Sequence, residues 1–204
     1  MNHIDLDRVA VDHALELLRQ RRAVETYSWL QAELHGRDVS CNSDYQRTFN
    51  GFYRVRRNAA WREIYFGILE RGKAQLESLD DVLRTLHGAT GRVEASFATK
   101  LIATLDPWQP VIDSVVLGNL GLKLRLAGDI HQRVAETIKL HADLAQTFSS
   151  YLNSKGGHLF VQRFHDVFPA AELTEVKMLD LVPWQLGRPN HAAAVGRGVV
   201  QSPS

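Results

Sequence analysis

Apolar residues recur at helical spacing along most of this 204-residue chain. Such spacing places them on one face of an amphipathic helix, whereas a half-buried strand would alternate apolar and polar residues. No stretch shows convincing alternation, and only Val111-Ile112 and residues 157–161 are short extended candidates. The clearest helical patterns cover residues 7–34, 59–69, 78–87, 92–105 and 129–152. The sequence therefore predicts an all-α fold.

Residues that commonly start or end helices divide these patterns. Gly72 follows the last apolar residue of one pattern, where a glycine often ends a helix. Ser78, with Asp81 three residues later, is a typical N-cap. Gly128-Asp129 opens another long helical pattern. These signals predict separate helices rather than one long one.

The length of the chain is sufficient for one substantial core. We expect a single all-helical domain over residues 1–186, arranged in one or two lobes. Residues 187–204 lack periodicity and are rich in glycine, proline and small side chains, so we predict that they are disordered. No run approaches the roughly 20 apolar residues that span a bilayer. The N-terminal residues also lack the apolar region of a signal peptide, so we expect a cytoplasmic protein with no membrane partner.

Cysteine and histidine usage excludes several kinds of site. Cys41 is the only cysteine, which excludes a disulfide framework, a thiolate zinc site and a four-cysteine iron–sulfur cluster. The nine histidines include no i, i+4 pair of the kind that binds zinc on a helix. We therefore expect neither a metal nor another cofactor. The net charge of +1 implies no partner by itself.

Aromatic residues and arginines are interleaved between residues 45 and 66. Arg54, Arg56 and Arg57 lie within four residues, and guanidinium groups can neutralise phosphates. Aromatic side chains can stack on unpaired bases. The alternative is that the aromatic residues belong to the core and the arginines form a solvated face. The sequence alone leaves both interpretations open.

A turn, a helix and a carboxylate follow one another within residues 86–120. The segment LHGATG at residues 86–91 predicts a turn at residues 87–91 that joins two helices into a hairpin. A link bracketed by prolines, residues 106–110, follows the second helix. Asp113 then precedes another helical run, and aspartate is among the favoured N-cap residues. The simplest prediction for Asp113 is therefore a helix cap.

This stretch resembles the helix-hairpin-helix superfamily of DNA glycosylases. The segment PVID at residues 110–113 is especially similar to the adenine-mispair branch of that superfamily. In these proteins a glycine-containing turn lets backbone N–H groups approach a phosphate at the start of the second helix. The resemblance covers residues 86–120 and implies a helical glycosylase-like fold with a central helix-hairpin-helix.

The resemblance also implies site residues. Asp113 takes the place of the catalytic carboxylate, and Gly88, Gly91 and Arg92 take the place of the phosphate-binding turn. The turn departs from the family pattern, because it lacks the proline and has one extra residue. Bifunctional members have a nucleophilic lysine at the start of the second hairpin helix, where this chain has Arg92 and Val93. We therefore expect a monofunctional, lysine-free enzyme that excises a damaged or mispaired base from DNA without a covalent intermediate.

A flipped base needs a pocket, and Trp108 and Phe52 are the aromatic candidates for its wall. Lys100 lies about two helical turns beyond the family's lysine position. We expect phosphate contacts at the rim from Arg54, Arg56, Arg57 and Arg92. The rival interpretation is a non-catalytic helical protein that keeps this scaffold to bind nucleic acid or protein. The position of Asp113 distinguishes these two interpretations. An enzyme needs the Asp113 carboxylate exposed in a pocket, whereas a binding protein needs it only to cap the helix.

Overall fold

The computed structural model describes Ile4, residues 8–125 and residues 127–185. In that part of the chain there are ten helices and no strand, which confirms the all-α fold class. The helices are α1 (Arg8–Gln20), α2 (Ala23–Leu34), α3 (Ser43–Phe52), α4 (Ala59–Gly72), α5 (Leu79–Thr90), α6 (Ala95–Leu105), α7 (Ser114–Asn119), α8 (Ile130–Leu152), α9 (Lys155–Val167) and α10 (Glu175–Gln185). None of these helices combines the length and apolar character that a membrane crossing requires. The predicted disordered tail, residues 187–204, lies outside the described residues.

The first predicted helix is in fact two helices. α1 ends at Gln20 and α2 begins at Ala23, because Arg22 adopts the left-handed backbone conformation with a φ of 51°. Residues 19–22 are all exposed, so they offer no apolar face that could hold a continuous helix against the core. The prediction of one helix over residues 7–34 is wrong at this point.

Polar side chains fix where several helices begin. The Ser78 hydroxyl accepts the Asp81 N–H in front of α5. Asp129 forms a capping box with Gln132 in front of α8, and Asn58 caps α4. Each cap satisfies a backbone N–H that has no partner within its own helix. The predicted cap at Ser78 and the predicted helix start at Gly128-Asp129 are confirmed.

Buried apolar side chains form two clusters. One lies among α1, α7, α9, α10 and the second half of α8. The other lies among α3, α4, α5, α6 and the second half of α2. The long α8 and the broken pair of α1 and α2 run from one cluster to the other, and Phe52 packs against both. The candidate site described below lies where the two clusters meet.

α5 and α6 pack as a helical hairpin, but the turn comes later than predicted. α5 continues through Gly88 to Thr90, and Gly91 ends it in the left-handed conformation with a φ of 70°. A glycine inside a helix costs only about 1 kcal/mol relative to alanine. The Thr90 hydroxyl and the Gly91 N–H both donate to carbonyls one turn earlier, which holds the last turn of the helix. The turn predicted at residues 87–91 is therefore wrong, and the chain turns at residues 91–94 instead.

Gly157 lies in the first turn of α9 and packs closely against the end of α8. A Cβ atom added at Gly157 would overlap the Tyr151 carbonyl oxygen and lie 2.6 Å from the Leu152 Cα. These are backbone atoms that cannot rotate away. We expect Gly157→Ala to lower the free energy of unfolding by about 1–3 kcal/mol, measured by urea denaturation.

Gly156→Ala is the matched control for that prediction. The nearest atom to a Cβ at Gly156 is the Ser154 Oγ at 3.6 Å, which is an ordinary contact. Alanine is also a better helix former than glycine, so this variant should be at least as stable as the parent protein. Equal losses of stability in the two variants would contradict the close contact at Gly157.

Candidate functional site

Asp113 lies at the start of α7, as the sequence predicts. One of its carboxylate oxygens, Oδ1, accepts the Val115 N–H at 2.8 Å and caps the helix. The side chain is 18% exposed. The second oxygen, Oδ2, is not part of the cap and faces Lys100 across a cleft. The predicted capping role is confirmed, and the carboxylate also lies in a pocket.

Two other helices hold the backbone that leads to Asp113. The Thr99 hydroxyl on α6 accepts the Ile112 N–H at 3.0 Å. The Asp180 carboxylate on α10 accepts the Val111 N–H at 3.2 Å. Both N–H groups are buried, so each would be costly to leave without a partner. The residues before Asp113 are therefore fixed to the core on both sides.

A third helix contacts the same link. The Nε2 atom of His141 on α8 lies 3.0 Å from the Pro110 carbonyl oxygen. Burial lowers the pKa of His141, which favours the neutral ring, so Nε2 carries the hydrogen and donates to this carbonyl. The position of Asp113 consequently depends on α6, α8 and α10 together.

Lys100 on α6 extends toward Asp113. Its Nζ atom lies 3.9 Å from Asp113 Oδ2 and donates to the Tyr53 carbonyl at 3.4 Å. Burial lowers the pKa of Lys100, and the Asp113 carboxylate partly offsets this effect. The structure therefore brings a lysine close to Asp113, although the sequence has none at the family's lysine position. The chain folds back after α6, so a side chain from the second turn of that helix meets the start of α7.

A second charged pair lies deeper in the same cleft. Lys177 Nζ is 3.3 Å from Asp180 Oδ2, and the two residues are 1% and 5% exposed. The Lys177 ammonium also lies 5.0 Å from the centre of the Tyr27 ring. Burial raises the pKa of Asp180 to about 6. Since Asp180 also binds the Val111 N–H, this pair connects the interior of α10 to the backbone before Asp113.

Phe52, Tyr53 and Trp184 form an aromatic wall of the cleft. The Tyr53 hydroxyl is buried and has no hydrogen-bond partner among the described residues. The cavity volume is about 40 Å³, which is enough for a few water molecules. A nucleobase would fit only if Trp184 or Phe52 moved. Trp108 is 61% exposed and does not line this cleft, so the structure does not bring it together with Asp113.

Arg54 does not line the cleft but packs on Trp184, which does. Its guanidinium carbon is 4.8 Å from the centre of the Trp184 ring, and its side chain is otherwise exposed. Arg56 and Arg92 are exposed as well, but neither lines the cleft. Of the arginines predicted at the rim, Arg54 contacts a residue that lines the cleft.

Arg57, the remaining predicted rim residue, is bound at the start of α6. It donates hydrogen bonds of 2.8 and 2.9 Å to the Glu94 carboxylate, which is 9% exposed and lies just before Ala95. A negative charge is favourable at a helix N-terminus, and the hairpin family binds a phosphate there. In this chain Glu94 provides the anion. Gly88 lies inside α5, so it cannot bring a free N–H to a phosphate as predicted.

The charged residues that sequence reasoning missed share one signal. Lys100 lies in the apolar run FATKLIATL, and Lys177 and Asp180 lie in VKMLDLV. A charge on the apolar face of a helix needs a partner in the interior. The sequence therefore contains the signal for buried pairs, but it does not indicate which residues pair.

In the described ranges, no three His, Cys, Asp or Glu side chains lie close enough together to hold a metal ion. Comparison with protein-family profiles, with curated proteins and with solved structures finds no match to this chain. The geometry around Asp113 and the motif at residues 110–113 are therefore the features that bear on function.

Proposed function

We propose that this protein is a DNA glycosylase-like enzyme that cleaves the N-glycosidic bond of a damaged or mispaired base. The observation that supports this most directly is the position of Asp113. Its carboxylate lies at the N-terminus of α7, 3.9 Å from the Lys100 ammonium, in a cleft with aromatic walls. The motif at residues 110–113 supports the same conclusion, because it resembles the glycosylase segment that ends in the catalytic aspartate.

The chemistry needs a negative charge near the reacting sugar. When the bond between C1′ and the base breaks, its electron pair leaves with the base and positive charge builds up on the sugar. The Asp113 carboxylate stabilises that charge, and Oδ2 is the oxygen not used by the helix cap. A water molecule then adds to C1′ and gives its proton to Asp113, while the released base takes a proton from solvent.

The aromatic wall fits the binding of an extruded base. Trp184 and Phe52 offer ring faces for stacking. Because the cavity is small, binding requires that a side chain at the mouth moves. Trp184 is half-buried and lies under the Arg54 guanidinium, so it is the side chain at the opening.

Lys100 fits the role of a counter-ion to Asp113. Its ammonium donates to the Tyr53 carbonyl and faces the carboxylate, whereas a nucleophilic lysine must be neutral with a free electron pair. The hydrolytic, monofunctional route follows from this arrangement. One observation favours a second route, in which the amine attacks C1′ and forms a Schiff base: burial lowers the pKa of Lys100.

The proposal is tested with a panel of DNA duplexes, each with one damaged or mispaired base. After incubation with the protein, alkali cleaves every abasic site and gel analysis shows which bases were removed. We expect at least one duplex to be processed. If the parent protein processes none of them, the non-catalytic binding scaffold is the better interpretation.

Borohydride reduction separates the two routes. We expect that it traps no protein–DNA adduct and that abasic sites remain uncut before alkali treatment. Lys100→Gln keeps a donor for the Tyr53 carbonyl but removes the charge, so excision should continue at a reduced rate. Lys139→Gln, at an exposed lysine outside the cleft, is the control. If borohydride traps an adduct with the parent protein but not with Lys100→Gln, the reaction follows the Schiff-base route and not the hydrolytic one.

A further inference from the structure

A second depression lies on the other side of Phe52 and Trp184. It has a volume of about 400 Å³ and lies between the start of α2, α3 and the end of α10. Phe52 and Trp184 line both this groove and the Asp113 cleft, so the two adjoin. We call it the arginine groove, and its polar lining residues are Arg21, Arg47, Arg54, Thr26, Thr48 and Gln185.

The arginine groove is positively charged. Guanidinium groups from Arg21, Arg47 and Arg54 line it, and none of its described lining residues is acidic. Arg47 also contacts Asp44 at 2.9 Å, but the side chain of that aspartate is 70% exposed. Such a surface pair contributes little and gives way easily to another anion. The groove therefore suits a ligand with several negative charges.

Gln185 also lines the arginine groove and has a side-chain amide N–H donor. It is 7% exposed, and its side-chain oxygen accepts a 2.6 Å hydrogen bond from Arg21. Its amide nitrogen is buried and has no partner among the described residues. A buried donor without a partner costs about 1–3 kcal/mol unless a ligand or water meets it. The geometry thus leaves an N–H donor beside the guanidinium groups.

Two backbone distortions place arginines on this groove. Arg22 and Arg54 are the non-glycine residues with positive φ in the described chain, at 51° and 53°. This conformation costs roughly 1–2 kcal/mol for a residue with a side chain. At Arg54 it turns the chain after α3 toward Trp184, and at Arg22 it separates α1 from α2 beside Arg21. Strained backbone of this kind is often found at ligand sites.

We infer that the arginine groove holds the phosphodiester backbone of the nucleic-acid strand whose base enters the Asp113 cleft. The identity of that strand rests on the proposed function. Arg21, Arg47 and Arg54 neutralise phosphates, and the Gln185 amide donates to a phosphate oxygen. Trp184, which lines both cavities, lies between the backbone and the base.

The test measures binding without any cleavage. Fluorescence anisotropy follows the full-length protein with a labelled DNA duplex that contains a tetrahydrofuran abasic-site analogue, from about 50 to about 200 mM salt. The triple variant Arg21→Gln/Arg47→Gln/Arg54→Gln should bind more weakly. Its plot of log affinity against log salt should also be less steep, with the magnitude of the slope smaller by about three, or about one for each lost phosphate contact. The matched control is Arg37→Gln/Arg84→Gln/Arg163→Gln, which changes three arginines outside the groove.

A second variant tests the donor on its own. Gln185→Glu keeps the shape and the oxygen that accepts from Arg21, but it replaces the N–H donor by a negative charge. We expect its affinity for the same duplex to fall by at least about 10-fold. Circular dichroism and urea unfolding of both variants show whether they keep the fold. Affinity and salt slope equal to those of the parent protein in both folded variants would overturn the inference.

The remaining outcomes separate the groove from the proposed enzyme activity. If the parent protein binds with a groove-dependent salt slope but excises no base, the groove stands and the glycosylase proposal fails. If only an RNA duplex of the same sequence shows the dependence, the groove stands and its strand is RNA. If the parent protein shows no salt-dependent binding at low salt, the groove inference fails whatever the excision assay shows.

Discussion

Asp113→Asn is expected to lower base excision by at least about 100-fold, the usual effect of removing one group that stabilises transition-state charge. Asparagine keeps an oxygen that can accept the Val115 N–H, so the cap of α7 remains. What is lost is the negative charge beside the sugar. The rate is measured as abasic sites formed per enzyme in single-turnover reactions, revealed by alkali.

The same substitution leaves Lys100 without its counter-ion. We therefore expect a loss of about 1–2 kcal/mol in the free energy of unfolding, between the value for an exposed pair and that for a fully buried one. The double variant Asp113→Asn/Lys100→Gln should recover most of this stability but none of the activity. Asp129→Asn is the control, because it makes the same change at the N-cap of α8, away from the cleft. Equal excision by the parent protein and Asp113→Asn would rule out the catalytic role.

Lys177→Met is expected to lower the free energy of unfolding by about 3–5 kcal/mol, because it leaves the buried Asp180 carboxylate without its partner. Asp180 is 5% exposed and its other oxygen binds the Val111 N–H, so it cannot turn toward water without breaking that bond. Urea denaturation at neutral pH gives the difference. The double variant Lys177→Met/Asp180→Asn removes both charges and keeps an acceptor for the Val111 N–H. Its free energy of unfolding should therefore be well above that of the single variant.

The loss of unfolding free energy in Lys177→Met, called its stability deficit, should also depend on pH. Burial already raises the pKa of Asp180 to about 6 with Lys177 present, above the ordinary value of 3.8. A carboxyl whose folded-state pKa is raised contributes stability at low pH that is lost as the pH rises through that pKa. The deficit should therefore be larger at about pH 8 than at about pH 5. A double variant as unstable as the single one, or a deficit that grows on acidification, would contradict this account.

Several features of the fold could be predicted from the sequence because they are decided locally. The caps at Ser78, Asp113 and Asp129 each depend on one side chain and the next few backbone N–H groups. The position of the hairpin turn is harder to predict from the sequence, because two glycines could end the helix. Gly88 and Gly91 are both plausible helix ends. The helix continues to the second because a helical glycine costs little and because Thr90 and Gly91 donate hydrogen bonds to carbonyls one turn earlier.

The cleft could not be derived from local patterns, because its residues come from distant parts of the chain. Lys100 meets Asp113 only because the link after α6 folds back, and Asp180 joins them from α10. The glycosylase motif predicts the carboxylate at Asp113 but not its partners. The arginines show the same limit: Arg54 and Arg57 are neighbours in sequence, yet one packs on Trp184, which lines the cleft, and the other is bound to Glu94.

The hydrogen bonds from Thr99, Asp180 and His141 to residues 110–112 also affect how the site can move. Each comes from a different helix, and those helices belong to both apolar clusters. A local fluctuation that displaces residues 110–112 must break hydrogen bonds to three helices at once, so it costs more free energy than the opening of a segment held by one bond. Adaptation to a bulky ligand is thus left to the side chains at the cleft mouth, while the carboxylate remains a rigid reference point.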